Sequence, residues 1–307
     1  MIRHFHGGIL RNFGRIYSSC QTFRRSNKSC NMSKEEFQIV KEGKAEVLFS
    51  KDVFYNPVQE FNRDLSVSVI RHFTEELLQS RGITVSYDEN SDNCSEVKEE
   101  SSETQGNGKK EYSAHPGKKC LNGVKLLEAL SASGLRSIRY AKEIPGIERI
   151  VANDIAEEAV SAMKRNIKHN NLDQLVEASQ ADAVLLMYQN PKQYDVIDLD
   201  PYGSAGPFID PAVHSISAGG LLCVTCTDMS VMCGNYGETC FTKYGAFSIK
   251  ATYSHEMALR ILLYAIQASA IRCGRYIEPL LSVSVDFYIR VFVRIHNGQA
   301  EAKHAAT

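Results

Sequence analysis

Tyr194-Asp195-Val196-Ile197-Asp198-Leu199-Asp200-Pro201-Tyr202-Gly203 is a short apolar run stopped by an acid, a proline and a glycine. Its first six residues have the length and apolar content of a buried strand, and Pro201, with no N–H to give to a ladder, ends it. The same unit repeats on either side. Strand-like runs lie at 125–130, 149–152, 176–178 and 220–226, separated by helical stretches such as 135–142 and 156–170. Short strands alternating with helix-length segments predict parallel strands joined by crossover helices, an α/β fold. A helix over 246–272 and two runs between Leu280 and Ile295, meeting near Asp286, predict a closing hairpin with an antiparallel terminal strand at the sheet edge.

The 307 residues are 43% hydrophobic, enough for a large core, and their formal net charge of −1 gives no global basic footprint. Any contact with nucleic acid must therefore come from a local patch or from a region outside this chain. No apolar run approaches the ~20 residues of a membrane-spanning helix, so no membrane association is expected. Nine cysteines without a compact small-domain spacing fit reduced thiols.

Residues 1–34 stand apart. Arg3, Arg11, Arg15, Arg24, Arg25, Lys28 and Lys34 occur with many serines and no acid before Glu35, the composition of a mitochondrial transit peptide or a basic tail. Met32 offers a second start that omits this leader, which would allow a nuclear or cytoplasmic form as well. Residues 35–87 are expected to form an ordered amino-terminal extension. There a helix over Leu65–Leu78, capped by Asp64 or Ser66, sets Arg63 at its mouth. Residues 88–119, rich in Asp, Glu, Ser, Asn, Gly and Lys, read as a disordered insertion because they bury too little apolar surface to offset chain entropy. Residues 120–298 form the core and 299–307 a polar tail.

In open α/β sheets ligands bind beyond the carboxyl ends of the strands, so the loops after each strand hold the candidates. After the first comes Ser131-Ala132-Ser133-Gly134-Leu135-Arg136-Ser137, where Gly134 permits a close turn into a helix; alone it reads equally as an ordinary strand-to-helix turn. Asp154 follows the second strand, about twenty residues after Gly134, where a carboxylate can accept both hydroxyls of a cofactor ribose. With little in the glycine loop to cradle a pyrophosphate, the pattern favours S-adenosylmethionine over a dinucleotide. Asp182-Ala183, after the third strand, can bond an adenine amine and offer a backbone N–H to its ring. Taken singly, Asp154 and Asp182 also read as helix caps.

The fourth loop is the one suited to a reaction. Asp200 and the Pro201 carbonyl can each accept a hydrogen of an exocyclic amine, turning a conjugated nitrogen towards tetrahedral geometry with its lone pair aimed at a methyl donor. Tyr202 can stack on a planar base, worth ~1–3 kcal/mol in nucleic-acid sites. Asp198, two residues earlier on the same face, is expected to support the site rather than react. Cys223, Cys226, Cys233 and Cys240 invite a zinc reading, but an offset of three places Cys223 and Cys226 on opposite strand faces, and no metal is expected. His255-Glu256 lacks the second histidine of a zinc-protease helix.

These loops, with Phe54 to Leu65, Ala152-Asn153-Asp154, Cys226-Thr227-Asp228-Met229 and Gly237 to Ala246, resemble the tRNA guanine-26 N2-dimethyltransferase family from about Ala45 to Gly298. The resemblance implies a class I, Rossmann-like methyltransferase fold using S-adenosylmethionine to methylate, twice in succession, the N2 amine of a guanine in tRNA. It implies that Asp200, with Pro201 and Tyr202, is catalytic. It implies also that Arg63, Gly134, Arg136, Asp154, Asp182 and Ala183 form the cofactor site, with Arg63 on the methionine carboxylate. Members of that family carry a further carboxyl-terminal domain that helps grip tRNA, whereas this sequence stops shortly after Gly298, which implies weaker substrate capture. An amino-methyltransferase for another base, or a non-catalytic, cofactor-binding regulatory form, is the alternative.

Overall fold

An antiparallel hairpin opens the described chain, β1 (Phe37–Glu42) and β2 (Ala45–Ser50) turning through Gly43, whose φ of 53° suits a residue without a Cβ. The computed structural model describes residues 37–50, 55–87 and 112–304. The expected leader, Phe54 and most of the expected insertion lie outside them. A single 3-10 turn (Pro57–Gln59) leads into α1 (Glu60–Ser80), which begins earlier than Asp64 because Asn56 accepts from the Val58 N–H at 3.1 Å and Pro57 occupies the first helical position. Arg63 is thereby inside the first turn of a helix. Short parallel strands β3 (Ile83–Val85) and β4 (Tyr112–Ala114) follow, so the polar stretch expected to extend to Lys119 gives way to ordered backbone by Tyr112.

The repeating unit then begins. It runs β5 (Val124–Glu128), α2 (Leu135–Glu143), β6 (Ile147–Asp154), α3 (Glu157–His169), β7 (Val176–Gln180), α4 (Ala183–Gln189), β8 (Tyr194–Leu199), α5 (Gly206–Ser215) and β9 (Ile216–Cys226). Short helices α6 (Met229–Met232) and α7 (Gly237–Tyr244) precede α8 (Ser254–Arg272). The predicted helix from Ala246 starts eight residues late: Gly245, at φ 72°, closes α7, and the Ser248 hydroxyl donates to the Val231 carbonyl instead of joining a helix. The chain closes with β10 (Arg275–Val285), β11 (Tyr288–Asn297) and α9 (Gln299–His304), a helix where a tail was expected.

The seven-stranded sheet has the order β10-β11-β9-β8-β5-β6-β7. β5 to β9 pair in parallel, and β11 alone runs against them. The antiparallel strand is thus last in sequence but not at the edge: β11 inserts between β9 and β10, and β10 takes the edge. Two apolar layers cover the sheet. Leu127, Ile197, Leu199, Leu222, Val224 and Val291 pack with Ile209, Leu262 and Ile266 on one face; Leu126, Val196, Leu221, Cys223 and Phe292 pack with Val67, Ile70, Ile138 and Met163 on the other. Helices on both faces of a parallel sheet leave its carboxyl ends open, and the strand order reverses between β5 and β8.

Candidate active site

Strand parity decides which side chains meet at this open end. On β8, Val196 belongs to the layer containing α1, α2 and α3 while Ile197 and Leu199 belong to the other, so Asp198 and, just beyond the strand, Asp200 share the α2 side. Register then brings partners from neighbouring strands: Glu128 lies beside Asp198 on one side, Cys223 on the other, and Thr225 faces Arg290. Six residues at or just beyond strand ends and one helix face therefore make a single, mostly buried polar cluster.

Arg136 Nη2 donates to Asp200 Oδ2 at 2.5 Å, while its Nη1 donates to Ser66 Oγ at 3.3 Å and lies 4.0 Å from Asp198 Oδ2. The Tyr140 hydroxyl donates to Asp198 Oδ2, and Arg290 donates to Asp198 Oδ1 at 2.9 Å and to Thr225 Oγ1 at 2.5 Å. Burial acts to raise the Asp200 pKa, but the charges of Arg136 and Arg290 outweigh it and hold the carboxyl below its usual range. Asp200 is thus a charged acceptor at neutral pH. Glu128 is the reverse case. Burial pushes it up to about 7 despite hydrogen bonds from Ser131 Oγ at 2.6 Å and from the Ser137 N–H at 2.9 Å.

The turn after β8 is pinned to the end of β9. Gly203, at φ 83°, donates its N–H to Thr227 Oγ1 at 2.8 Å and accepts from the Thr227 N–H at 3.0 Å. Pro201 is buried beneath it, and Tyr202 stands 95% exposed, a free aromatic face beside the carboxylate.

The expected cofactor residues occupy the adjoining loops. Gly134, at φ 81°, forms the left-handed entry to α2. Asp154 accepts from the Ala132 N–H at 2.9 Å and the Ala156 N–H at 3.0 Å, bracing the glycine loop with one bond on each oxygen and leaving further lone pairs for ribose hydroxyls. Asp182 caps α4 through the Val184 and Leu185 N–H groups, at 2.8 and 3.1 Å, with Ala183 buried as the first helical residue. Asn153 ties the three loops together by donating to the carbonyls of Ala129 and Ala181, both at 3.0 Å, and its own buried Oδ1 has no partner among the described residues. Consecutive strand-end carboxylates, a glycine turn and a spare buried acceptor fit an adenosyl group.

Two expected roles look different in place. Arg63 is committed to Glu42, donating to its two oxygens at 2.6 and 2.5 Å, with Tyr55 and Arg139 on the same carboxylate at 2.7 and 2.9 Å. Its Nε and Nη2, expected near the cofactor carboxylate, are engaged within the chain. Arg136, expected on the cofactor, is bound to Asp200. Sequence reading did not single out Glu128, Asn153, Thr225 or Arg290. Glu128 and Arg290 were signalled by a charge inside an apolar run, at Leu126-Leu127-Glu128-Ala129-Leu130 and Tyr288-Ile289-Arg290-Val291-Phe292, since such residues are rarely buried unpaired.

Sheet order, helices on both faces and strand-end carboxylates define the class I, Rossmann-like methyltransferase fold. Residues 31–307 match the family described as N2,N2-dimethylguanosine tRNA methyltransferase, and the chain belongs to that family. It is 49% identical over 282 residues to a tRNA (guanine(26)-N(2))-dimethyltransferase of Mus musculus and 48% over 284 residues to the Homo sapiens protein so named, covering 87% of this chain in each case. It is 45% identical over 283 residues to a Saccharomyces cerevisiae protein of the same name designated mitochondrial. The matched region covers 42%, 43% and 49% of those three proteins, so the chain spans less than half of their length. Among solved structures, Trm1 from Pyrococcus horikoshii with S-adenosyl-L-methionine superposes with a TM-score of 0.68 at 28% identity, covering 87% of this chain and 63% of the other. Trm5b from Pyrococcus abyssi, at 16% identity and a TM-score of 0.51 over 85% of this chain and 56% of that one, shares the fold.

Proposed function

We propose that this chain is the methyl-transferring part of a tRNA guanine-26 N2-dimethyltransferase, acting on tRNA with S-adenosylmethionine to give N2,N2-dimethylguanosine. The observation that carries this is Asp200, a partly exposed carboxylate held by Arg136 at 2.5 Å at the end of β8, two residues before an exposed Tyr202. The guanine stacks on Tyr202, and its N2 amine gives one hydrogen to Asp200 and another to the Pro201 carbonyl. That geometry frees the nitrogen lone pair and aligns it for in-line transfer, and Asp200 or a water takes the released proton. Gly134, Asp154, Asp182 and Ala183 would hold the cofactor, which would supply an electrophilic methyl on sulfur. Arg136 orients Asp200 and Arg63 braces the amino-terminal hairpin through Glu42. Support comes from the family membership and from the Pyrococcus horikoshii protein, whose structure contains S-adenosyl-L-methionine.

Incubating the chain with methyl-labelled S-adenosylmethionine and unmodified tRNA tests the reading. Label in tRNA that is lost with Asp200→Ala is the expected result, and equal incorporation by both proteins would sink it. For residues 1–34 we keep the reading of a mitochondrial leader, supported by the designation of the yeast relative. A fluorescent protein carrying those residues should enter mitochondria, and a diffuse signal would refute the assignment.

A further inference from the structure

Arg136 has two carboxylates within reach. It is bonded to Asp200 at 2.5 Å and stands 4.0 Å from Asp198; its side chain and that of Asp198 are buried, while Asp200 is partly exposed. Two anions sharing one buried cation will divide it according to how well each is neutralised elsewhere. Asp198 is neutralised by Arg290, which comes from β11, 92 residues away in sequence, and both side chains are fully buried. The second nitrogen of the Arg290 fork binds Thr225 at 2.5 Å, and Thr225 stands near enough to Asp200 to help lower its pKa. Arg290 thus touches both carboxylates' surroundings without meeting the substrate side.

We propose that Arg290 is a positioning residue for methyl transfer: by satisfying Asp198 it leaves Arg136 on Asp200. The inference rests on the reading of Asp200 as the acceptor of the amine hydrogens. Without Arg290, the uncompensated charge of Asp198 draws Arg136 across the short gap, and Asp200 loses its partner. The groups surrounding the Asp198–Asp200 pair are Arg136 and Tyr140 from α2, Glu128 from β5, Cys223 from β9, and Tyr288 and Arg290 from β11. Of these, Arg136 and Arg290 are the cations.

The test is a carboxyl carbon NMR titration of Asp200 in the 307-residue chain, its signal identified by its disappearance in Asp200→Asn. In Arg290→Gln the midpoint should move up by about one pH unit. In the double variant Asp198→Asn/Arg290→Gln, where Arg136 has no rival carboxylate, more than half of that displacement should be recovered. An unmoved midpoint in Arg290→Gln, or a double variant displaced as far as the single one, overturns the proposal. Should Arg290→Gln fail to fold, Arg290→Lys keeps the charge but cannot reach Asp198 and Thr225 together. A smaller upward displacement then supports the proposal and none refutes it. In parallel, kcat for tRNA methylation should fall about tenfold in Arg290→Gln with KM for tRNA unchanged. Absence of any methyl transfer by the parent chain would remove the functional reading, while the titration would still decide the role of Arg290.

Discussion

Asp200 and Glu128 are carboxylates at the ends of adjacent strands, and their surroundings push them in opposite directions. Asp200 is lowered by two arginines against its burial, so it stays ionised well into acid pH. Transfer that depends on its ionised form should therefore hold on the acid side of neutrality and decline only below the usual carboxylate range, which a pH profile of kcat would show. Replacing it by Asn keeps the shape but removes the charge that takes the proton, so single-turnover transfer should fall ~10²–10³-fold while equilibrium dialysis still detects cofactor. Glu128 holds its proton up to about 7 in the folded chain, above its ordinary value of 4.5. An acid with a raised folded pKa binds more protons folded than unfolded, so its contribution is fully present below 4.5 and lost as pH rises to about 7. The difference in unfolding free energy between the parent and Glu128→Gln should change across that window by on the order of 3 kcal/mol. Parallel stability curves from chemical denaturation would contradict the assignment.

At the level of elements, the shapes of the loops proposed to bind and react follow from how each strand is ended. Gly134 must adopt φ 81°, and a Cβ there would come within 3.0 Å of Met163 Cγ on α3. Gly219 has a similar φ of 75° with nothing within 4 Å, so it isolates the backbone cost. Gly219→Ala should lower stability by roughly 1 kcal/mol, and Gly134→Ala by more, with weakened cofactor binding besides. Thermal melts and dialysis would check both, and equal losses would show that the contact with Met163 is inconsequential. The parallel strands and their carboxyl-end loops were legible in the sequence because apolar runs and turn residues are local signals. Helix limits were less so: α1 starts at Glu60, directly after a 3-10 turn that Asn56 caps several residues before the apolar stripe, and Gly245 closes α7 just before the longer helix expected from Ala246, which starts at Ser254. The place of β11 between β9 and β10 is a pairing choice that periodicity does not encode. Asp200 was identifiable from its own loop, but its partners were not. Arg136 is 64 residues away in sequence and meets it only through strand parity.

For the molecule as a whole, two helical layers seal a sheet whose carboxyl edge carries Asp200, the Gly134 turn and Asp154 together. Among the described residues no helix is long and apolar enough to cross a membrane. A formal net charge of −1 gives no general attraction for phosphate, so the proposed binding of tRNA would rest on local contacts, and the chain spans less than half the length of its mammalian relatives. The proposed role of Asp200 is to direct methyl groups to one nitrogen of one base. Mass spectrometry of nucleosides and of sequenced fragments, after unmodified tRNA has reacted with this chain and S-adenosylmethionine, tests that claim most directly. N2-methylated and N2,N2-dimethylated guanosine at position 26, abolished by Asp200→Asn, is the predicted result. Unmodified tRNA throughout, methylation of another base, or a product that persists in the Asp200→Asn protein would contradict it.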